Sequence, residues 1–162
     1  MCGIAGYYTY RDGGGRVDGE ELVKIRESML SRGPDGAGLW RSDDFGAGLA
    51  HRRLSIIDLS EAGAQPMATD DGGLRVVFNG EIYNYHALRT NLLAKGYRFR
   101  SQSDTEVLLH LYEEHGQEMV HVLRGMYAFA IWDGHKHGVF LARDPFGIKP
   151  LYYADDGATL RF

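Results

Sequence analysis

Hairpin and helix patterns alternate along this chain of 162 residues, and together they predict an α+β fold with mostly antiparallel sheet. Two apolar runs around a tight turn, Met126–Trp132 and Gly138–Arg143, predict one hairpin. Leu151–Tyr153 and Thr159–Phe162 predict a second hairpin across Asp155-Asp156-Gly157. Few segments have the β-α-β spacing that a parallel sheet needs.

Length and composition indicate one soluble domain spanning residues 1–162. Hydrophobic residues make up 44% and charged residues 25%, as in ordinary globular proteins. No apolar run approaches the ~20 residues of a membrane span, and the N-terminus lacks a signal-peptide pattern. The net charge of −4 argues against a nucleic-acid surface, and the single cysteine excludes an internal disulfide and a multi-cysteine zinc site. A cytoplasmic protein with neither nucleic-acid nor membrane partners is expected.

The N-terminal third predicts a strand, a loop, a helix and a further strand. Cys2–Tyr8 is short, small and aromatic, which is typical of a strand, and the glycine-rich stretch 11–16 predicts a loop. Asp18 and Glu21 resemble a capping box, so a helix is expected from there to Gly33-Pro34. Phe45–Asp58 is expected to be a strand with glycine interruptions.

The middle of the chain predicts two strands and two helices. Leu74–Asn79 is expected as a buried strand entering an Asn79-Gly80 turn, and Tyr85–Lys95 as a helix that Gly96 ends. Tyr97–Ser101 alternates like a strand. Two further helical segments are expected, one from the capping box Ser103–Glu106 to Gly116 and a short one over Met119–Arg124.

The single cysteine directly follows the initiator methionine. Its small size allows Met1 to be removed, which would leave Cys2 with a free α-amine beside its thiol. A neutral amine next to a thiol is a ready general base for a nucleophile, so no catalytic histidine is needed. The alternative interpretation is a buried cysteine that packs as a small hydrophobic residue.

Five further residues are candidates for binding a small ligand. Asn79 and the backbone N–H of Gly80 suit an oxyanion hole, although Asn-Gly is first a turn signal. Arg53 pairs well with a carboxylate, while Asp104 and Glu81 suit an ammonium group, so the three charges fit an α-amino acid. Taken singly, each charge is more typical of a solvated surface or, for Asp104, of a helix start.

The remaining chemistry-bearing residues give weaker signals. The seven histidines are scattered without metal-ligand spacing, so we expect them to be structural or solvated and expect no metal site. No phosphate-binding loop is present, and no ATP site is expected in these residues.

Seven motifs occur in an order that resembles the class II glutamine amidotransferase domain of asparagine synthetases, over nearly the whole chain. They are Met1–Gly6, Arg32–Gly36, Arg53–Leu59, Ala64–Met67, Asn79–Asn84, Ser103–Glu106 and Arg143–Tyr153. The resemblance implies the N-terminal-nucleophile αββα sandwich, in which two antiparallel sheets pack between helical layers. Arg53 is followed by Leu54-Ser55-Ile56-Ile57-Asp58, which resembles asparagine synthetases and their paralogues rather than the sugar-phosphate or purine branches.

The resemblance also implies roles for individual residues. Cys2 would attack the side-chain amide of glutamine, with Asn79 and Gly80 holding the oxyanion. The glutamine pocket would be formed by residues that bind its charged groups or line its walls: Arg53, Leu54, Ser55, Ile56, Ile57, Asn79, Gly80, Glu81 and Asp104. The ammonia would then attack β-aspartyl-AMP in a synthetase domain and yield asparagine.

Two departures from the family pattern accompany this expectation. Ser31 stands where the family often has a histidine, and the chain stops at Phe162 where the family continues into an ATP-dependent synthetase domain. We therefore expect that these residues lack the synthetase domain and that one sheet is truncated at its C-terminal end. ATP and Mg²⁺ are expected to bind only in the synthetase domain. Two alternatives stay open: the same fold feeding another ammonia acceptor, and a non-catalytic domain that packs against a synthetase. A homodimer is also left open.

Overall fold

The computed structural model describes residues 1–11, 19–44 and 46–162, which contain two antiparallel sheets. The strands are β1 Gly3–Thr9, β2 Gly36–Arg41, β3 Ala47–Arg53, β4 Met67–Ala68, β5 Leu74–Ile82, β6 Gly125–Asp133, β7 Gly138–Arg143, β8 Ala154–Asp155 and β9 Thr159–Arg161. The first sheet has the order β2-β3-β1-β9-β8 and the second has the order β4-β5-β6-β7. The N-terminal strand β1 is therefore an inner strand of its sheet.

In the described part of the chain, three α-helices accompany the sheets: α1 Gly19–Ser28, α2 Tyr85–Ala94 and α3 Asp104–His115. Short 3₁₀ turns lie at Glu61–Gly63 and Gly116–His121. Among the described residues, none of these helices combines the length and the apolar character that crossing a bilayer would take. The predicted capping residue Asp18 and the predicted loop 12–16 lie outside the described residues.

The layers stack in the order helix, sheet, sheet, helices, which confirms the predicted αββα sandwich. Leu22 of α1 packs on the outer face of the first sheet against Ala5, Tyr7 and Ala50. The two sheets meet through a core that contains Leu49, Val77, Ala130 and Trp132. On the outer face of the second sheet, α2 and α3 contribute Leu92, Val107, Leu108 and Leu111 to the largest core cluster. Inner strands buried on both faces explain the continuous apolar runs in the sequence.

The predicted turn at Asn79-Gly80 is wrong, because β5 continues through both residues to Ile82. Asn79 pairs with Ala128 and Gly80 with Tyr127 in an unbroken antiparallel ladder with β6. A Cβ atom on Gly80 would collide with the backbone of Met126 and Tyr127. The glycine is therefore required by a close approach of two strands rather than by a turn.

The predicted strand Tyr97–Ser101 is absent from the structure for a clear reason. The carboxylate of Glu106 accepts hydrogen bonds from the backbone N–H groups of Arg100 and Ser101, both at 2.8 Å, so these donors are taken before a sheet can use them. Two other expected strands differ in their bounds. Of Phe45–Asp58, β3 forms the strand, and the strand expected at Leu151–Tyr153 lies instead just after it, as β8. Strand β2 was not predicted.

Candidate active site

Nine of the ten predicted site residues line a single cavity of about 140 Å³ between the two sheets and the start of α3. They are Cys2, Arg53, Leu54, Ile56, Ile57, Asn79, Gly80, Glu81 and Asp104. Ser55 is the exception, because it lies outside the lining and its backbone N–H donates to Asp35 Oδ2 at 2.9 Å. Residues that are distant in the sequence are thus brought together by the ends of β1, β3 and β5 and by the N-terminus of α3.

Cys2 lies directly before β1, and its backbone is tied to the loop after α1. Arg32 Nε donates to the carbonyl oxygen of Cys2 at 3.2 Å, and the Met1 amine donates to the carbonyl oxygen of Arg32 at 3.1 Å. The sulfur accepts a hydrogen bond from the Leu54 N–H at 3.4 Å. A backbone donor aimed at the sulfur stabilises negative charge there.

Asn79 is nearly buried in β5, with its side chain at the cavity, and the preceding residue Phe78 is held from two sides. The Phe78 N–H donates to Gln65 Oε1 at 2.7 Å, and the Phe78 carbonyl accepts from His51 Nε2 at 3.3 Å. Burial lowers the pKa of His51 to about 4, so the ring is neutral and donates through Nε2. These contacts fix the strand segment that carries the two predicted oxyanion donors.

Gln65 also reaches the start of α3, where its Nε2 donates to Thr105 Oγ1 at 3.2 Å. The oxyanion strand and the helix that carries Asp104 are therefore joined through one buried amide. A buried polar bridge with a partner at each end favours a single relative position of the elements it connects.

Arg53, the last residue of β3, is positioned by the loop that follows. Its Nη1 donates to the carbonyl oxygen of Ser60 at 2.9 Å, and its Nη2 donates to the carbonyl oxygen of Asp58. The Asp58 carboxylate in turn accepts from the side chain and N–H of Ser60 and from the Gln102 N–H at 2.8 Å, and these hydrogen bonds lower its pKa. The guanidinium is thus held at the cavity by backbone carbonyls.

Asp104, the first residue of α3, places a buried carboxylate at the cavity. Its Oδ2 accepts from the Ile82 N–H at 3.0 Å. Burial raises the pKa of Asp104 to about 6, and the negative charge of Glu81 contributes in the same direction. Among the five charged side chains that line the cavity, the predicted set of Arg53, Glu81 and Asp104 matches the charges of an amino-acid zwitterion.

Several further residues line the cavity that the sequence does not single out, and they give it both polar and apolar walls. They are Met1, Asp58, Gly63, Gln65, Phe78, Ser103, Thr105, Met126 and Lys149. Gln65 and Lys149 lie within motifs that carried the resemblance, but neither motif indicated a role for them.

The sequence matches the profile of a family described as "Glutamine amidotransferase domain" over residues 1–162. Asparagine synthetase [glutamine-hydrolyzing] 1 of Bacillus subtilis is 48% identical over 154 residues, and Amidase chry2 of Gibberella zeae is 40% identical over 161 residues. Each alignment covers 94% of this chain and 24% of the relative, so the chain spans about a quarter of those proteins.

The structure of glutamine phosphoribosylpyrophosphate amidotransferase from B. subtilis superposes with a TM-score of 0.76 and 21% identity, covering 99% of this chain and 41% of that one. This likeness concerns the fold alone. Because the family profile covers every residue of the chain, the protein belongs to the glutamine amidotransferase family.

Proposed function

We propose that the protein, once Met1 is removed, hydrolyses the side-chain amide of glutamine through Cys2 and supplies the ammonia for asparagine synthesis in a longer protein. The observation that carries this proposal is the single cavity shared by Cys2, the Asn79–Gly80 segment and the charges of Arg53, Glu81 and Asp104. Nucleophile, oxyanion donors and zwitterion-binding groups then face one bound amino acid.

The chemistry follows from these groups. The Cys2 sulfur forms a bond to the amide carbon while the α-amine of the same residue takes the thiol proton. The negative charge on the amide oxygen is stabilised by the Asn79 side chain and the Gly80 N–H. The carbon–nitrogen bond then breaks, and the amine returns its proton to the departing ammonia. Water next attacks the thioester, which releases glutamate and restores the thiol.

Substrate selection rests on the charged groups around the cavity. Arg53 binds the α-carboxylate of glutamine, and the carboxylates of Asp104 and Glu81 bind its ammonium group. Leu54, Ile56 and Ile57 contribute apolar wall to the same cavity, against which the methylene groups of glutamine would pack.

Two further features support transfer of ammonia to another part of a longer protein. A second cavity of about 230 Å³ shares Cys2 and Asn79 with the first and extends to Pro150, Leu151 and Tyr152. The adjacent segment exposes an apolar strip, which consists of Phe146, Ile148, Tyr152 and Tyr153. An exposed apolar strip of this kind is typical of a surface that another domain covers. We propose that a synthetase domain of the same chain covers it and receives the ammonia. The identity of 48% to an asparagine synthetase supports asparagine as the product.

The direct test measures ammonia release from glutamine by protein whose intact mass shows the loss of Met1. The wild type is expected to release ammonia and glutamate in equal amounts, and Cys2→Ala is expected to release neither. Activity that survives Cys2→Ala would contradict the proposal. Formation of asparagine from aspartate, ATP and glutamine by the longer protein tests the acceptor; ammonia release without asparagine would indicate a different acceptor.

A further inference from the structure

Lys149 is a buried cation at the cavity that the proposed mechanism does not use. Its side chain lines the cavity with Cys2 and Asn79, and the residue is only 5% exposed. The ammonium group donates to Met1 Sδ at 3.0 Å. Lysine is rarely buried to this extent without an anionic partner.

The turn after β7 fixes where Lys149 lies. The buried carboxylate of Asp144 accepts from four backbone N–H groups, those of Tyr127, Phe146, Ile148 and Lys149, at distances of 3.0 to 3.3 Å. Tyr127 is the residue of β6 that pairs with Gly80. The backbone of Lys149 is therefore anchored to the strand that lies beside the predicted oxyanion donors.

The Lys149 ammonium donates to the sulfur of Met1, and Met1 must be removed before Cys2 can act through its own α-amine. A thioether is a weak acceptor, whereas an ammonium carries three donors. Among residues 1–11, 19–44 and 46–162, no carboxylate forms an ion pair with Lys149. Removal of Met1 takes this sulfur away and leaves the Lys149 ammonium without it, at the cavity that Cys2 also lines.

We propose that Lys149 is a catalytic residue whose ammonium contacts and stabilises the negative charge on the Cys2 sulfur. This inference rests on the proposed function, because the charge arises when Cys2 acts as a nucleophile. Lys149 keeps its proton throughout, and no bond to it forms or breaks. The other charged groups that line the cavity are Arg53, Asp58, Glu81 and Asp104, so Lys149 offsets three carboxylates that would disfavour a thiolate.

The test compares Met1-processed wild type with Lys149→Met, Lys149→Gln and Lys149→Arg. Because Cys2 is the single cysteine, the rate of alkylation by iodoacetamide reports on its thiolate directly. Near neutral pH, Lys149→Met and Lys149→Gln are expected to react about tenfold more slowly, and Lys149→Arg close to the wild-type rate. In strong base all four should react equally, since the thiol is then ionised in each.

Glutamine hydrolysis provides the second measurement. We expect kcat to fall about 100-fold in Lys149→Met with KM nearly unchanged, and Lys149→Arg to recover most of kcat. Lys95→Met is the matched control, because Lys95 is exposed at the end of α2 and pairs with Glu114. Thermal melting identifies a variant that has lost its fold, and Lys149→Arg preserves the positive charge.

Each outcome decides the inference. Alkylation at the wild-type rate in folded Lys149→Met or Lys149→Gln would overturn it, whatever happens to kcat, and so would a raised KM at unchanged kcat. If wild type itself releases no ammonia, the proposed function fails, while the alkylation rates still show whether Lys149 acts on the sulfur.

Discussion

Asp104 Oδ2 accepts a hydrogen bond from the Ile82 N–H at 3.0 Å, which joins the start of α3 to the end of β5. Replacement by asparagine keeps an oxygen for this bond and removes only the charge. For Asp104→Asn we expect KM for glutamine to rise about 10- to 100-fold, with kcat changed little, because a charged partner of the substrate ammonium is lost. Steady-state ammonia release measures both constants, and an unchanged KM would remove Asp104 from the substrate site.

The raised pKa of Asp104, about 6, predicts the pH dependence of glutamine binding. The carboxylate must be ionised to attract an ammonium group, and protonation removes that attraction. KM should therefore be constant above this pKa and rise by up to about tenfold per pH unit as the pH falls below it. The rise should be absent in Asp104→Asn, and a rise of equal size in that variant would assign the titration to another group.

Gly80→Ala tests the close approach of β5 and β6. The added methyl group would collide with the backbone of Met126 and Tyr127, which cannot move aside as a flexible side chain would. We expect the free energy of unfolding to fall by about 1–3 kcal/mol and ammonia release to be lost. Gly138→Ala in β7 is the control, because the nearest atom is 4.0 Å from its added Cβ. Equal unfolding free energies for the two variants would contradict the packing argument.

Asp144→Asn tests the turn that positions Lys149. Burial alone would raise the pKa of Asp144, but its backbone hydrogen bonds outweigh burial and lower it. Ionised Asp144 therefore stabilises the fold above the pKa it has in the unfolded chain, and that contribution is lost as the pH falls through the lower folded-state value. At neutral pH we expect a loss of about 2–3 kcal/mol, since an amide cannot accept all four bonds.

Denaturant unfolding at several pH values checks this prediction. The wild type should lose stability toward acid pH, and Asp144→Asn should lose less over the same range. Parallel curves for the two proteins would show that Asp144 does not contribute through its charge.

The sequence predicted individual elements well where its apolar periodicity is regular, as in α2 and in the β6–β7 hairpin, whereas the order of the layers came from the family resemblance. The prediction of strands failed where a side chain takes the hydrogen bonds that a neighbouring strand would have made. Glu106 takes the N–H groups that would have made Tyr97–Ser101 a strand, and its reach cannot be read from spacing. Asn79-Gly80 has the composition of a turn, and the close approach of β6 that keeps it extended involves residues almost fifty positions away.

The candidate site also shows which residues the sequence can predict and which depend on contacts between distant elements. Residues with recognisable chemistry, such as Cys2, Arg53 and Asp104, were predicted and lie at one cavity. Lys149 and Gln65 were not singled out, because their significance comes from burial and from partners in other elements. Ser55 was included by its position in a motif, but its backbone points to Asp35 instead.

Chain ends ordinarily fray, yet β1 is flanked by β3 over six residue pairs and by β9 over three. The pairs with β9 lie at its far end, Tyr7–Thr9, whereas its start, next to Cys2, is held by β3. The placement of the reacting sulfur therefore depends on the pairing of β1 with β3. Substitutions that weaken this pairing would displace the nucleophile without changing any side chain at the cavity.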